Sequence, residues 1–141
     1  MFYGTHEHTI DEKKRLTLPA KFRDGLGGEV VLLRGIDKNV DVYPRASWYQ
    51  SVERIAALDP LTPEARKMKR FVFTGVTITE VDKQGRVVVP PDLVGSLGKE
   101  VAVVGVHDHV EIWDRSAWAS HLSEIEGSVG DVAERAADRR G

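Results

Sequence analysis

Apolar and polar residues alternate along Val76-Thr-Ile-Thr-Glu-Val81, and most are β-branched, which predicts a half-buried strand. Asp82-Lys-Gln-Gly85 follows with turn chemistry, Gly85 being free to take a positive φ, and Val87-Val-Val89 predicts a second strand. The same succession occurs earlier: a strand over Thr5–Ile10, a turn over Asp11–Arg15 and a strand over Leu16–Leu18. Pro19 and Pro90 come next. Proline suits a first helical turn, where the N–H it lacks would have no partner. Short helices are therefore expected over Ala20–Leu26, ended by Gly25 and Gly27, and over Asp92–Leu97, ended by Gly98, with Phe22 and Leu93 plugging them into the core.

Val30–Leu33 and Val101–Val104 are continuous apolar runs and predict buried strands. Val40–Tyr43 and Val110–Trp113 are expected to pair with them across polar turns holding Asp37-Lys-Asn39 and Asp108-His109. Trp48, Val52 and Ile55 fall at i, i+4, i+7, as do Trp118, Leu122 and Ile125, so each set predicts a helix with an apolar stripe, and core packing is its expected role. One further helix is expected after Asp59-Pro-Leu-Thr62-Pro63, with Thr62 as N-cap and Pro63 at N1. It would bury Ala65, Met68 and Val72 and present Arg66, Lys67, Lys69 and Arg70. The tail Val129–Arg140 has helix-forming composition but is charged, and fraying is expected there.

These signals recur because the chain is written twice. Asp11-Glu-Lys-Lys-Arg15-Leu-Thr-Leu-Pro19 returns 71 residues later as Asp82-Lys-Gln-Gly-Arg86-Val-Val-Val-Pro90, with Phe2, Gly4 and Ile10 facing Phe73, Gly75 and Val81. Farther on the offset is 70, and Asp41-Val-Tyr-Pro-Arg-Ala-Ser-Trp48 lies over Glu111-Ile-Trp-Asp-Arg-Ser-Ala-Trp118. A repeat of this kind is one structural unit used twice. The expected organisation is a first unit over 1–58, a connecting helix over 59–72, a second unit over 73–126 and a charged tail over 127–141. A unit of about 70 residues would be marginal alone, so the two are expected to fold together.

Composition removes several function classes. There is no cysteine among the 141 residues, hence no disulfide, thiolate nucleophile or Cys-based zinc site. Nucleophile-elbow, Walker and Rossmann spacings are also missing, so neither an enzyme nor a small-molecule substrate or cofactor is expected. The five histidines include the pairs His6/His8 and His107/His109, each of which would share a strand face, but neither pair is duplicated and no third ligand stands nearby. Surface histidines are the plainer reading, and no metal is expected. No apolar segment reaches the length of a membrane span and no signal-peptide pattern opens the chain, so the expected compartment is the cytoplasm.

The net charge of −2 is small, but it is divided unevenly. Residues 1–70 hold 13 Lys and Arg against 10 Asp and Glu, and residues 71–141 hold 7 against 12. Lys13, Lys14, Arg15, Lys21 and Arg23 crowd residues 11–23, where they repel unless an anion arrives. Asp11 and Asp82 can cap their turns and orient Arg15 and Arg86. Basic residues on a β-ribbon can neutralise phosphates, and a guanidinium can donate two hydrogen bonds to guanine. Lys13, Lys14, Arg15, Lys21 and Arg23 are accordingly the residues expected to meet that anion.

The opening Met1-Phe2-x-Gly4, both Asp-x-x-x-Arg motifs, Arg15-Leu-Thr-Leu-Pro19, Val42-Tyr-Pro44 and Glu111-Ile-Trp-Asp114 together resemble the MraZ family over nearly the whole chain. Lys14 stands where the family motif usually has glycine, and Tyr3 where relatives are often basic. The resemblance implies a β-dominated α+β fold of two AbrB-like (SpoVT-AbrB) swapped-hairpin units, forming a pseudo-twofold β-barrel with flanking helices. It also implies a nucleoid-associated transcriptional regulator, usually a repressor. Such proteins bind short direct repeats in double-stranded DNA upstream of the cell-division and cell-wall gene cluster that contains their own gene. They assemble with themselves into rings, commonly of eight or twelve subunits. On the matching positions the resemblance implies Arg15 and Arg86 as DNA contacts with Lys13 and Lys83 beside them, which makes Lys13, Lys14, Arg15, Lys21, Arg23, Lys83 and Arg86 the candidate DNA-binding residues and Asp11 and Asp82 turn-orienting residues. An AbrB-like antitoxin and a ring scaffold that does not bind DNA are the alternatives.

Overall fold

The strands read from the sequence pair across the duplication more than within it. In the computed structural model, which describes residues 1–138, strands β1 (Thr5–Thr9), β3 (Glu29–Arg34), β4 (Val40–Pro44), β5 (Thr77–Glu80), β7 (Glu100–Val106) and β8 (His109–Asp114) form one antiparallel sheet in the order β1-β7-β8-β4-β3-β5. Strands β2 (Arg15–Thr17) and β6 (Arg86–Val88) form a separate two-stranded ribbon. Exchanging the two copies turns the sheet order into its own reverse. The duplication is therefore a pseudo-twofold axis, passing between β4 and β8 and between β2 and β6.

Each copy's first strand completes the other copy's half of the sheet. β1 pairs with β7 and β5 pairs with β3. Within a copy only the β3–β4 and β7–β8 hairpins are local. The two strands joined through Asp11–Arg15 do not pair as a simple hairpin: Asp11 N–H donates to the Arg15 carbonyl at 3.0 Å, and beyond that bond β1 joins the large sheet while β2 joins the ribbon. Burial causes the divergence, because Ile10, Leu16 and Leu18 all turn into one core.

That core lies between the sheet and the ribbon. Val30, Leu32, Val40, Val42, Val101, Val103, Val110 and Ile112 project from the inner face of the sheet, and Leu16, Leu18, Val87 and Val89 meet them. The four ribbon side chains are at most 1% exposed. Burying such a side chain contributes about 1.5–3 kcal/mol, against about 0.5–1.5 kcal/mol net for one hydrogen bond. Two strands of three residues are thus held mainly by their apolar undersides. Helices α1 (Ala20–Leu26) and α4 (Pro91–Val94) close the ends of this layer with Phe22, Leu26 and Leu93. α4 stops short of the expected Leu97 because the chain passes through Gly95 into a turn.

The outer face of the sheet is covered unequally. In copy one, helices α2 (Trp48–Ala56) and α3 (Pro63–Thr74) pack Trp48, Val52 and Val72 on Val31 and Leu33. α3 begins as expected, Thr62 Oγ1 accepting from Ala65 N–H at 3.2 Å with Pro63 in the first turn. Arg34 reaches its far end, Nη2 donating to the Phe71 carbonyl at 2.6 Å. In copy two a single helix, α5 (Arg115–Asp138), lies behind Ala102, Val104 and Trp113, with Trp118 packed on them. Among the described residues no second helix covers it, so Leu122 and Ile125 stay 38% and 36% exposed, and Val129 and Val132 are exposed beyond them. The expected core role of this stripe therefore holds at Trp118 and fails at Leu122 and Ile125.

The whole is mixed α+β with a strand-built centre, and helices hold the larger share of residues because α5 alone runs for 24. The hydrogen-bonded ladder does not close into a barrel; the sheet and the ribbon remain separate. α5 crosses residue 127 without a break, and the last residues of the expected tail, 139–141, lie outside the described part. No helix among the described residues is long and apolar enough to cross a membrane.

Strand exchange gives a direct prediction. A fragment of residues 1–71 lacks β6 and β7, the partners of β2 and β1, and is expected not to give a monomer with a sharp thermal transition. Circular dichroism with light scattering checks this; a cooperative monomer would refute the dependence of each half on the other.

Candidate nucleic-acid interface

Two turns of the same geometry stand at the two ends of the ribbon. In the first, Asp11 Oδ1 accepts from the backbone N–H groups of Lys13 (2.9 Å) and Arg15 (2.8 Å), while Asp11 Oδ2 accepts from Arg15 Nε at 2.7 Å. In the second, Asp82 Oδ1 accepts from Gln84 N–H and Arg86 N–H, each at 2.9 Å, and Asp82 Oδ2 from Arg86 Nε at 2.8 Å. One carboxylate thus folds the turn and aims the arginine. The backbone bond from Arg15 is the main cause that holds the Asp11 carboxyl below its usual pKa, and Arg86 N–H does the same for Asp82. Depressed folded values mean that this stabilisation is present above the ordinary carboxylate range and is lost as pH falls through the folded pKa.

Ribbon register sets the direction of both arginines. Arg15 faces Val88 and Arg86 faces Thr17, so these four side chains share one face, while Leu16 and Val87 point to the core. Each arginine uses Nε on its aspartate, and among the described residues neither makes an intrachain hydrogen bond through its terminal nitrogens. The ribbon therefore presents two fixed, outward, planar cations. Lys13 and Lys14 stand exposed on the first turn and Lys83 on the second.

The remaining candidates separate. Lys21 is held over the Tyr3 ring, its Nζ 3.8 Å from the centroid, where a cation gains about 0.5–1 kcal/mol at an exposed site. Arg23 donates from Nε to the Leu18 carbonyl at 2.9 Å and lies against Gly85. A first-copy cation thus sits on the second copy's turn, and the exchange partly redistributes the charge asymmetry seen along the chain. Arg66, Lys67, Lys69 and Arg70 belong to α3, which packs on the outer face of the sheet, away from the ribbon.

Lys14 and Gly85 show why the two turns tolerate different residues. Lys14 has φ 63° and Gly85 φ 79°, so both adopt the left-handed conformation, and the first turn keeps the geometry of the second at the cost of backbone strain at lysine. The carbonyls of these residues are also tied across the axis: Val89 N–H donates to Lys14 and Leu18 N–H to Gly85, both at 2.8 Å. A Cβ at Gly85 would run into the Arg23 guanidinium. The residue equivalent to Arg23 at the first turn is Val94, which lines an open recess with Ile10, Asp11 and Lys14, so a side chain fits there.

The histidines depart from expectation. His107 has φ 64° and occupies the β7–β8 turn, so it does not share a strand face with His109. The His109 side chain is only 12% exposed and faces Asp41 and Glu111, a meeting invisible in the sequence because it depends on the β4–β8 register. His6 and His8 are half-buried on β1, with burial, then His6 and Arg23, lowering the His8 pKa.

Fold and turns together define an internally duplicated, strand-exchanged protein that brings two aspartate-anchored arginines to one face of a ribbon. A family model described as "MraZ protein, putative antitoxin-like" matches the chain twice, over residues 1–71 and 72–140. The chain belongs to the MraZ family. It is 41% identical over 139 residues to a protein of Thermomicrobium roseum named "Transcriptional regulator MraZ", covering 97% of this chain and 98% of that one. Proteins of the same name from Moorella thermoacetica and Desulforamulus reducens are 41% and 40% identical over 140 residues, covering 98% of this chain and 98% and 99% of theirs.

The difference between the turns is testable by stability. Lys14→Gly removes a left-handed lysine and is expected to raise unfolding free energy by up to about 1 kcal/mol, backbone entropy offsetting part of the gain. Gly85→Ala is expected to lower it by about 1–2 kcal/mol from backbone conformation alone, with the Arg23 clash added. Urea unfolding measures both; shifts of the same sign would contradict the shared geometry.

Proposed function

We propose that this protein is a sequence-specific, DNA-binding transcriptional regulator that lays its β2–β6 ribbon in the major groove. The observation that carries the reading is the pair of outward guanidinium groups, each tied through Nε to an aspartate. That tie leaves the two terminal nitrogens as a fork, the geometry that donates to guanine O6 and N7. A two-stranded ribbon fits the width of the major groove. Lys13, Lys14, Lys83 and the guanidinium of Arg23 flank the arginines and meet phosphate, and Lys21 is left to Tyr3.

Family membership and the names of the relatives support regulation of transcription. In this reading the targets are short direct repeats upstream of a cell-division and cell-wall gene cluster that includes the protein's own gene, the outcome is repression, and the protein is cytoplasmic and nucleoid-associated. Ribbon and sheet act as a pseudo-barrel left open between their edges. The uncovered stripe Leu122, Ile125, Val129 and Val132 supports assembly with further copies into a ring of eight or twelve. Light scattering at micromolar concentration is expected to give such an oligomer; a stable monomer would remove the ring.

Two sets of variants test DNA recognition. Arg15→Lys keeps the charge but loses the fork, and is expected to retain non-specific binding while losing about 1–3 kcal/mol of preference for operator over scrambled DNA. Arg86→Lys acts likewise where both turns meet one duplex. Equal weakening on both DNAs would make Arg15 a phosphate clamp only. Lys13→Ala with Lys14→Ala is expected to flatten the plot of log affinity against log salt by about 0.9 for each phosphate no longer neutralised. An unchanged slope in a folded variant would place those lysines away from phosphate.

A further inference from the structure

Asp41 lies directly opposite Glu111 in the β4–β8 ladder. The two are equivalent positions of the duplication, 70 residues apart, so the pseudo-twofold axis runs through the pair. Like charges facing each other on adjacent strands destabilise a sheet. Both side chains are also largely shielded, at 17% and 21% exposure. His109 approaches them with Nε2, 3.1 Å from Glu111 Oε2 and 3.8 Å from Asp41 Oδ1.

Neighbouring side chains hold this group in place. His109 Nδ1 is 2.8 Å from Asp108 Oδ1, and the Tyr43 ring stacks on the imidazole at 4.8 Å. Trp113 Nε1 donates to Glu111 Oε1 at 2.9 Å. Asn39, which is buried and is the residue equivalent to His109, donates from Nδ2 to Asp41 Oδ1 at 2.7 Å.

We propose that Asp41, His109 and Glu111 form a binding site for one divalent first-row transition ion, Zn²⁺ being the ion its nitrogen and oxygen ligands fit, on the axis at the back of the sheet. Ligand spacing is the first argument. A tetrahedral ion with bonds of about 2.0–2.1 Å holds its ligand atoms about 3.4 Å apart, and the two distances from Nε2 fall on either side of that value. All three ligand atoms lie within 4.8 Å of one another.

The surrounding donors are the second argument. A metal-bound imidazole engages its other nitrogen with a carboxylate, as Asp108 does here, and ligating carboxylates are themselves fixed by hydrogen bonds, as Trp113 and Asn39 provide. Charge is the third. Two carboxylates with a neutral imidazole match a divalent ion, whereas imidazolium alone leaves the three side chains net negative. The ion takes the place of the Nε2 proton, which leaves to solvent. It ties β4 of one copy to β8 of the other, and the fourth position stays open to water.

The test is calorimetric titration of Zn²⁺ into chelator-stripped full-length protein, with thermal unfolding alongside. One ion per chain is expected, with Tm raised by roughly 5–10 °C at a hundredfold excess over Kd. His109→Gln and Glu111→Gln are each expected to weaken uptake by about a hundredfold or more, and Asp108→Asn by about 10–100-fold through the orientation of His109. The double variant His6→Ala, His8→Ala should bind as the parent does. X-ray absorption at the zinc edge of the unaltered protein keeps the proposal testable where a variant fails to fold: one imidazole among oxygen ligands is expected. Absence of stoichiometric uptake, uptake untouched by His109→Gln, or a spectrum with two or more imidazoles would each overturn the site.

Discussion

Each half of this molecule lacks a strand that only the other half supplies. β1 lies on β7, β5 lies on β3, and the ribbon takes one strand from each copy. The core follows from this exchange, because the undersides of the ribbon, Leu16, Leu18, Val87 and Val89, seal a sheet that neither copy builds alone. The arginine face follows as well. Arg15 and Arg86 share a surface only because antiparallel pairing at Leu16 and Val87 puts equivalent residues on the same side.

Equivalent positions on an axis meet their own kind, and the chain treats the two such meetings differently. At Leu16 and Val87 like meets like at no cost, since both are apolar and buried. At Asp41 and Glu111 it brings two carboxylates together, and the surroundings have diverged to answer: Asn39 on one side, His109 on the other. The turns diverged in the same manner. Gly85 lies beneath Arg23, whereas Lys14, opposite the smaller Val94, keeps a side chain in a strained backbone conformation.

Much of the fold was legible in local signals. The alternation over residues 76–81, the continuous runs at Val30 and Val101, and the Thr62–Pro63 helix start depend on neighbours in sequence and were read correctly to within a few residues. The aspartate that both folds a turn and aims an arginine was legible too, because a span of five residues contains the whole device. What escaped depends on pairing between distant segments. The partner of β1, the contact of His109 with Asp41, and the placement of Arg23 on the second turn are all consequences of register across the axis. The repeat itself misled at Leu122 and Ile125, since equal sequence implied equal surroundings while α3 covers only the first copy.

Joining the halves in one chain also gives the ribbon a direction. Two identical subunits would present ends that no ligand could tell apart. Here one end carries Lys13 and Lys14 beside an open recess, and the other carries glycine beneath a guanidinium. An elongated partner laid along β2 and β6 therefore has a head and a tail imposed on it, and turning it round yields a chemically different complex. Duplication followed by divergence has converted a symmetric surface into a vector.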